Sequence, residues 1–194
     1  MNASDTTTTT KTLLHVCCAP CSVACIAALR DEGITPYGYF YNPNIHPIKE
    51  FRARKTAFME YAKSIDMRFH VEHSYGLREF IKGVYPDFSP ANRCEYCYRV
   101  RLSAAAEFAH EHGFSSYTTT LLISPYQNHE LIARLGREIG EKNGVEFLYR
   151  DFRPCFAEGQ SQARELGLYM QKYCGCVFSE EERYAKRRAE QSEI

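Results

Sequence analysis

Nine cysteines lie along this chain, and seven of them fall into three groups whose spacing could hold a metal or pass electrons. The groups are Cys17-Cys18 with Cys21, Cys94 with Cys97, and Cys174 with Cys176. In Cys94-Glu95-Tyr96-Cys97, two thiols three residues apart at a helix start can face the same side, and the positive helix end favours their ionised form. That arrangement serves zinc, an iron–sulfur cluster or a dithiol redox centre equally well. In Cys17-Cys18-Ala19-Pro20-Cys21, adjacent side chains of a regular strand point to opposite faces, so both reach one ligand only if the backbone turns. Pro20 supports such a break, because it disfavours helix before it and has no N–H to donate. Cys25, four residues past Cys21, reads as a buried side chain.

In Cys174-Gly175-Cys176 the glycine lifts the Cβ restriction and lets two near-neighbour thiols approach. A disulfide across one residue is constrained, and strain raises its reduction potential. The pair suits reversible reduction better than stapling, with two zinc ligands or two spectators as the other readings. Cys155 has no partner in sequence. Two pairs, Cys17-Cys18 and Cys94 with Cys97, could close a structural zinc site. A domain of this size has core enough without zinc, however, and zinc leaves the Cys174-Gly175-Cys176 pair without a task. An iron–sulfur cluster uses the same ligands and adds one-electron chemistry, so it ranks first and zinc second.

The chain that must position these thiols has 194 residues, 44% of them hydrophobic, with 24 basic side chains balancing 24 acidic ones. No net field draws it onto nucleic acid; Arg99 with Arg101, and the run Lys186, Arg187, Arg188, are local basic patches that read as solvated helix faces. No apolar run could span a membrane, and residues 1–11 lack the apolar centre of a signal peptide. They read as a disordered tail. A cytoplasmic protein with reduced thiols is expected, a setting in which clustered cysteines bind metal or do redox chemistry.

Short apolar runs predict strands over 12–17, 35–41, 67–72, 116–122 and 145–149. Helical spacing and turn residues predict helices over 22–32, 47–64, 77–84, 95–112 and 128–143. This alternation implies an α/β fold: a mainly parallel sheet with helices on both faces. From about residue 151 a C-terminal extension carries two further helices and three cysteines, so residues 12–194 read as a single α/β domain with a helical appendage. Ligands of such sheets gather at the carboxyl ends of strands, which is where Cys17-Cys18 and Ser124-Pro125 fall.

Four motifs in order resemble the cobalamin-independent epoxyqueuosine reductases. They are Leu14-His15-Val16-Cys17-Cys18-Ala19-Pro20-Cys21-Ser22, Tyr41-Asn42-Pro43-Asn44-Ile45, Arg93-Cys94-Glu95-Tyr96-Cys97-Tyr98-Arg99-Val100-Arg101-Leu102, and Tyr173-Cys174-Gly175-Cys176. The resemblance spans about residues 12 to 184. It implies reduction of epoxyqueuosine to queuosine at the wobble position of tRNA. It also implies a 4Fe-4S cluster on Cys17, Cys18, Cys94 and Cys97, and a redox-active pair at Cys174 and Cys176. The fold implied is that of adenine-nucleotide α-hydrolase and PP-loop domains, although Cys17 to Ser22 stands where their phosphate loop would be. The implied partners are tRNA carrying epoxyqueuosine and an electron donor the sequence does not name; no membrane is expected.

Turning an epoxide into an alkene takes two electrons and two protons, and a single 4Fe-4S cluster passes one electron at a time, so an adjacent dithiol is a sensible second store. Iron acting as Lewis acid on the epoxide oxygen leaves room for an additional iron, with Cys21 as candidate extra ligand. Tyr41, Tyr98 and His15 are candidate proton donors. Tyr96, Tyr98, Arg99 and Arg101 are candidates to receive an unstacked base. The rival readings are a PP-loop-like tRNA-thiolating enzyme, which should bind ATP, and a zinc-stabilised RNA-binding module.

Overall fold

The structure, a computed structural model, describes residues 11–192, with side chains as far as Tyr184 and Ala185. The expected tail, apart from Lys11, and the side chains of Lys186, Arg187 and Arg188 lie outside the described residues. Five strands, β1 (Thr12–His15), β2 (Tyr37–Phe40), β3 (Phe69–Val71), β4 (Ser116–Thr119) and β5 (Glu146–Phe147), form one sheet in the order β3-β2-β1-β4-β5. Every pairing is parallel, with Leu14 of β1 opposite Gly38 of β2 on one side and Thr118 of β4 on the other. A parallel sheet is covered on both faces, so its central strands read as continuous rather than alternating apolar runs. β1 shows this: Leu13 and Leu14 are both fully buried although they point to opposite faces.

Among the described residues seven α-helices connect and cover the strands: α1 (Ala19–Asp31), α2 (Ile48–Ser64), α3 (Leu77–Val84), α4 (Pro90–Glu111), α5 (His129–Asn143), α6 (Phe156–Glu165) and α7 (Val177–Ser192). Their packing falls into two sets, α1 with α2 and α6, and α4 with α3 and α5. Right-handed crossovers place these sets on opposite faces of the sheet. From β1 the chain winds outward through β2 to β3, then returns to β4 on the far side of β1. The strand order therefore reverses between β1 and β4, and the crevice beyond their carboxyl ends is the switch point where open α/β sheets bind ligands.

The strands are shorter than expected, and three boundaries differ for a clear local reason. α1 begins at Ala19 rather than near residue 22, because Pro20 sits in the first turn, where its missing N–H has no helical partner to lose. α4 begins at Pro90 rather than 95: Ser89 caps it by accepting from Asn92 N, and Pro90 takes the first position. Cys94 and Cys97 consequently lie beyond the first turn, outside the reach of the helix-end charge invoked for their ionisation. The fourth strand stops at Thr119, whose hydroxyl accepts from Leu121 N and starts a 3-10 turn over Thr120–Ile123. No described helix is long and apolar enough to cross a membrane.

Candidate metal centre

β1 leads through Val16, whose N–H is held by Tyr39 O at 2.8 Å and whose carbonyl accepts from Asn42 Nδ2 at 2.9 Å. Cys18 then keeps extended backbone (φ −167°, ψ 163°) as the residue that precedes α1. This is the break that Pro20 implied, and it brings three sulfurs together: those of Cys17, Cys18 and Cys21 lie within 4.8 Å of one another, with Cys17 and Cys18 3.8 Å apart. The sequence treated Cys21 as an accessory; the structure makes it a full member of the group.

Each sulfur has a donor from a distant part of the chain. Thr120, just past β4, accepts from Cys17 N at 3.0 Å and donates its hydroxyl to Cys17 Sγ at 3.1 Å. Gln171 Nε2 approaches Cys18 Sγ at 2.9 Å and Cys21 Sγ at 3.6 Å. Hydrogen bonds from Cys18 and Cys21 hold the Cys17 thiol well below its ordinary range, with Arg101 and Thr120 assisting. Cys18 is pushed up by burial and Cys21 by the protons it donates to its neighbours. Cys17 is thus the member of the trio that ionises most readily.

Cys94 and Cys97 stand outside this trio, and Cys97 borders the same charge. Arg101, one turn beyond Cys97, approaches Cys97 Sγ at 3.6 Å and donates to Asn42 Oδ1 at 2.7 Å. It also lines, with Cys17, Cys18, Cys21 and Cys174, a cavity of about 70 Å³. Burial pushes Cys94 up to about 11 and Cys97 to about 12, the latter against the pull of Arg101. Arg101 is 2% exposed, has no carboxylate partner among the described residues, and leaves its Nε without an acceptor. A buried cation is costly unless anions surround it, and the groups around this one are thiols. An anionic thiolate-bound metal cluster satisfies that requirement, so the donor set fits such a group.

Cys174 and Cys176 sit on an irregular segment, residues 168–176, laid across the same cavity. Arg54, buried and paired with Glu50, donates to the carbonyls of Tyr173 (3.0 Å) and Cys174 (2.8 Å). Gly175 O accepts from His46 N at 2.8 Å, Tyr173 Oη donates to His46 O at 2.6 Å, and Val177 N donates to His46 Nδ1 at 3.3 Å. Gly175 has φ 148°, and a Cβ there would stand 3.3 Å from Arg54 and Asn44, so glycine is required. Both thiols are free. Gln127 Nε2 lies 3.6 Å from the sulfur of Cys174, while Cys176 packs with Phe80 and Val84.

Other candidates are placed differently. His15 is fully buried, bridges Thr119 Oγ1 (2.8 Å) and Tyr41 O (3.1 Å), and is pushed down to about 3 by burial and Arg101. It ties β1 to β4 as a neutral ring whose Nε2–H is donated to the Tyr41 carbonyl. Tyr98 is buried with its hydroxyl donating to Gln127 Oε1 at 2.7 Å, and Tyr96 packs on Phe80. Arg99 pairs with Glu95 and Glu138, and Arg101 is buried rather than part of a surface patch. These four residues therefore do not form a base-receiving surface. Cys25 is buried below Cys21, and Cys155 is half-buried before α6. The sequence reading missed Thr120, Gln127, Gln171, Arg54 and Asn42. Only Asn42 stood inside a motif that drew notice.

The family model for Epoxyqueuosine reductase QueH matches residues 12–182. A curated protein of that name from Dehalococcoides mccartyi is 35% identical over 176 residues, covering 91% of this chain and 96% of its own. Its namesake from Thermotoga maritima is 39% identical over 181 residues, covering 90% and 92%. Among solved structures, the U34-tRNA thiolase NcsA from Methanococcus maripaludis, described with its [4Fe-4S] cluster, superposes with a TM-score of 0.59. At 14% identity, covering 88% of this chain and 61% of that one, it shows a shared PP-loop-like fold.

Proposed function

This chain belongs to the epoxyqueuosine reductase QueH family, and from that membership we propose that it reduces epoxyqueuosine to queuosine at the wobble position of tRNA. Cys17, Cys18, Cys94 and Cys97 hold a 4Fe-4S cluster, Cys174 and Cys176 store electrons, and Cys21 is available to bind an additional iron. The observation that carries this reading is the convergence on one cavity of the Cys17 trio, Arg101 and Cys174.

The cluster, when bound, supplies one-electron transfer and Lewis acidity. The rest falls to side chains. Converting the epoxide to an alkene consumes two electrons and two protons and releases water. Oxidation of Cys174 and Cys176 to a disulfide yields two electrons and two protons, so one turnover balances. A reductant of the dithiol-restoring class then returns the pair to thiols. Cys174 is exposed, so that reductant can reach its sulfur from solvent. Gln127, held by Tyr98, orients that sulfur. Arg101 supplies the permanent positive charge that an anionic cluster needs.

A tRNA substrate and a need for reduced thiols assign the chain to the cytoplasm. Residues 12–194 act as one α/β domain with a helical extension from about residue 151, whose α6 packs on α1. The direct test is digestion of epoxyqueuosine-bearing tRNA after anaerobic incubation with iron- and sulfide-reconstituted protein and a reductant. Conversion to queuosine is expected; unchanged epoxyqueuosine with a loaded cluster overturns the reading. Zinc at one equivalent with no iron after reconstitution would overturn the cofactor.

A further inference from the structure

The cavity beside the sulfurs, about 70 Å³, is far too small for a nucleoside, since ligand pockets run to several hundred Å³. It opens into a second space of about 840 Å³ that shares Cys21, Ser124, Gln127, Gln171, Tyr173 and Cys174 with it. The outer walls come from the turn before α5, from α6 and from α7. At the rim Tyr126 is 85% exposed, with its ring edge-on to Phe156 at 6.3 Å and 86°. Arg164, Lys172 and Arg183 also line this space and form no ion pair among the described residues. Its one carboxylate, Glu182, is engaged by Arg93 at 2.5 Å.

Resting on the function proposed above, we propose that this outer cleft is a cradle for single-stranded RNA. In it Tyr126 and Phe156 stack a base flanking the modified nucleotide, and Arg164, Lys172 and Arg183 meet the neighbouring phosphates. An aromatic platform combined with cations is the arrangement that holds unpaired nucleotides, because every base offers a π face and every linkage a charge. Gln160 in the lining offers both donors and an acceptor to base edges. An exposed tyrosine with no packing partner but another rim aromatic gains little from folding, which leaves stacking as its use. A chain with zero net charge needs such a local concentration of positive charge to hold RNA. The face predicted from the residues beside Cys97 is buried or paired, so this cleft replaces it.

The test is a binding titration of a synthetic anticodon stem-loop RNA against the full, anaerobically reconstituted chain at several salt concentrations. Tyr126→Ala should weaken binding on the order of tenfold, since a stacked base contributes that much or more. Tyr126→Phe should retain it. Replacing Arg164 and Lys172 together by glutamine should flatten the dependence of log K on log salt by about 0.7 for each phosphate no longer neutralised. Visible absorbance and iron content, measured in each variant, report an intact fold. Wild-type affinity for Tyr126→Ala together with an unchanged salt slope overturns the cradle, and would turn attention to a protein electron donor on that face. Because binding needs no turnover, epoxyqueuosine-bearing tRNA that binds through Tyr126 yet stays unreduced with a loaded cluster and a reductant would refute the reductase reading and leave the cradle standing.

Discussion

Cys17, Cys18 and Cys21 are carried by backbone that the sheet and α1 fix, one at a strand end, one at a helix cap and one in the first helical turn. Cys174 and Cys176 are carried by residues 168–176, which have no regular backbone structure and are held by Arg54, His46 and Tyr173 reaching across. The same side chain thus meets two mechanical settings around one cavity. A ligand that must retain a metal gains from backbone that cannot relax. A dithiol that must close to a disulfide and reopen needs backbone that can yield while its anchors stay in place. The helical and strand hydrogen bonds of the first region open only with the core; the side-chain anchors of the second can release singly.

The largest effect should come from exchanging sulfur for oxygen in each region. Cys17→Ser is expected to abolish the visible iron–sulfur absorbance and, with it, turnover. Cys174→Ser should keep the absorbance and iron content while turnover falls to background. Normal turnover in Cys174→Ser would remove the distinction between the regions.

Next in size is Arg101→Met, which removes the buried cation both regions share. Breaking a buried charge pair costs about 3–5 kcal/mol, so the iron-loaded protein should lose that much stability to denaturant. The metal-free protein should lose far less, because there the guanidinium lacks a full countercharge. Equal losses in both forms would make Arg101 a packing residue.

Arg54→Ala frees Glu50 on its own helix and otherwise acts on the irregular segment. It deletes two charged hydrogen bonds to the Tyr173 and Cys174 carbonyls, each of a kind worth about 1.5–3 kcal/mol. Hydrogen exchange of amides 173–177 should speed up while that of β1 amides stays slow. If β1 accelerates equally, the two regions open as one unit.

The smallest effect is acid loosening through His46. Its ring is buried, donates Nε2–H to Pro43 O and accepts from Val177 N at Nδ1, and burial lowers it to about 4. The unfolded chain, with histidine near 6.5, binds this proton more readily than the folded one. The contribution is therefore complete above about pH 6.5 and lost as pH falls from there towards 4, by at most about 1.4 kcal/mol per pH unit. Protonation of Nδ1 also removes the acceptor of Val177 N. His46→Gln should flatten stability against pH over that window; an unchanged slope would locate the acid sensitivity elsewhere.

The order and kind of the elements could be read from the chain because parallel strands buried on both faces leave short apolar runs between turns. What misled at the boundaries was proline. Pro20 read as a break and the helix carrying Cys97 was expected only from residue 95, yet Pro20 and Pro90 both occupy first turns, where proline is compatible with helix. The cysteine groups were visible because their chemistry is a matter of type and spacing. The groups that support them were not. Thr120 lies 103 residues from Cys17 and Gln171 lies 153 from Cys18, so each is an ordinary polar residue until the fold sets it beside a sulfur. Arg101 failed in the opposite sense. As a residue on a helix it looked solvated, and only the packing of α4 beneath β1 turned it inward.

Those long separations also set a timetable. β1 is made early and finds β2 soon after, but its other neighbour comes only when β4 exists, through Thr12 with Ser116, His15 with Thr119 and Cys17 with Thr120. At about 5–20 residues per second, the first cysteines emerge about 5–20 s before the hydroxyl that shelters Cys17 has been made. Gln171, which lies against Cys18 and Cys21, follows later still. During synthesis this chain therefore displays three adjacent thiols with nothing to shield them.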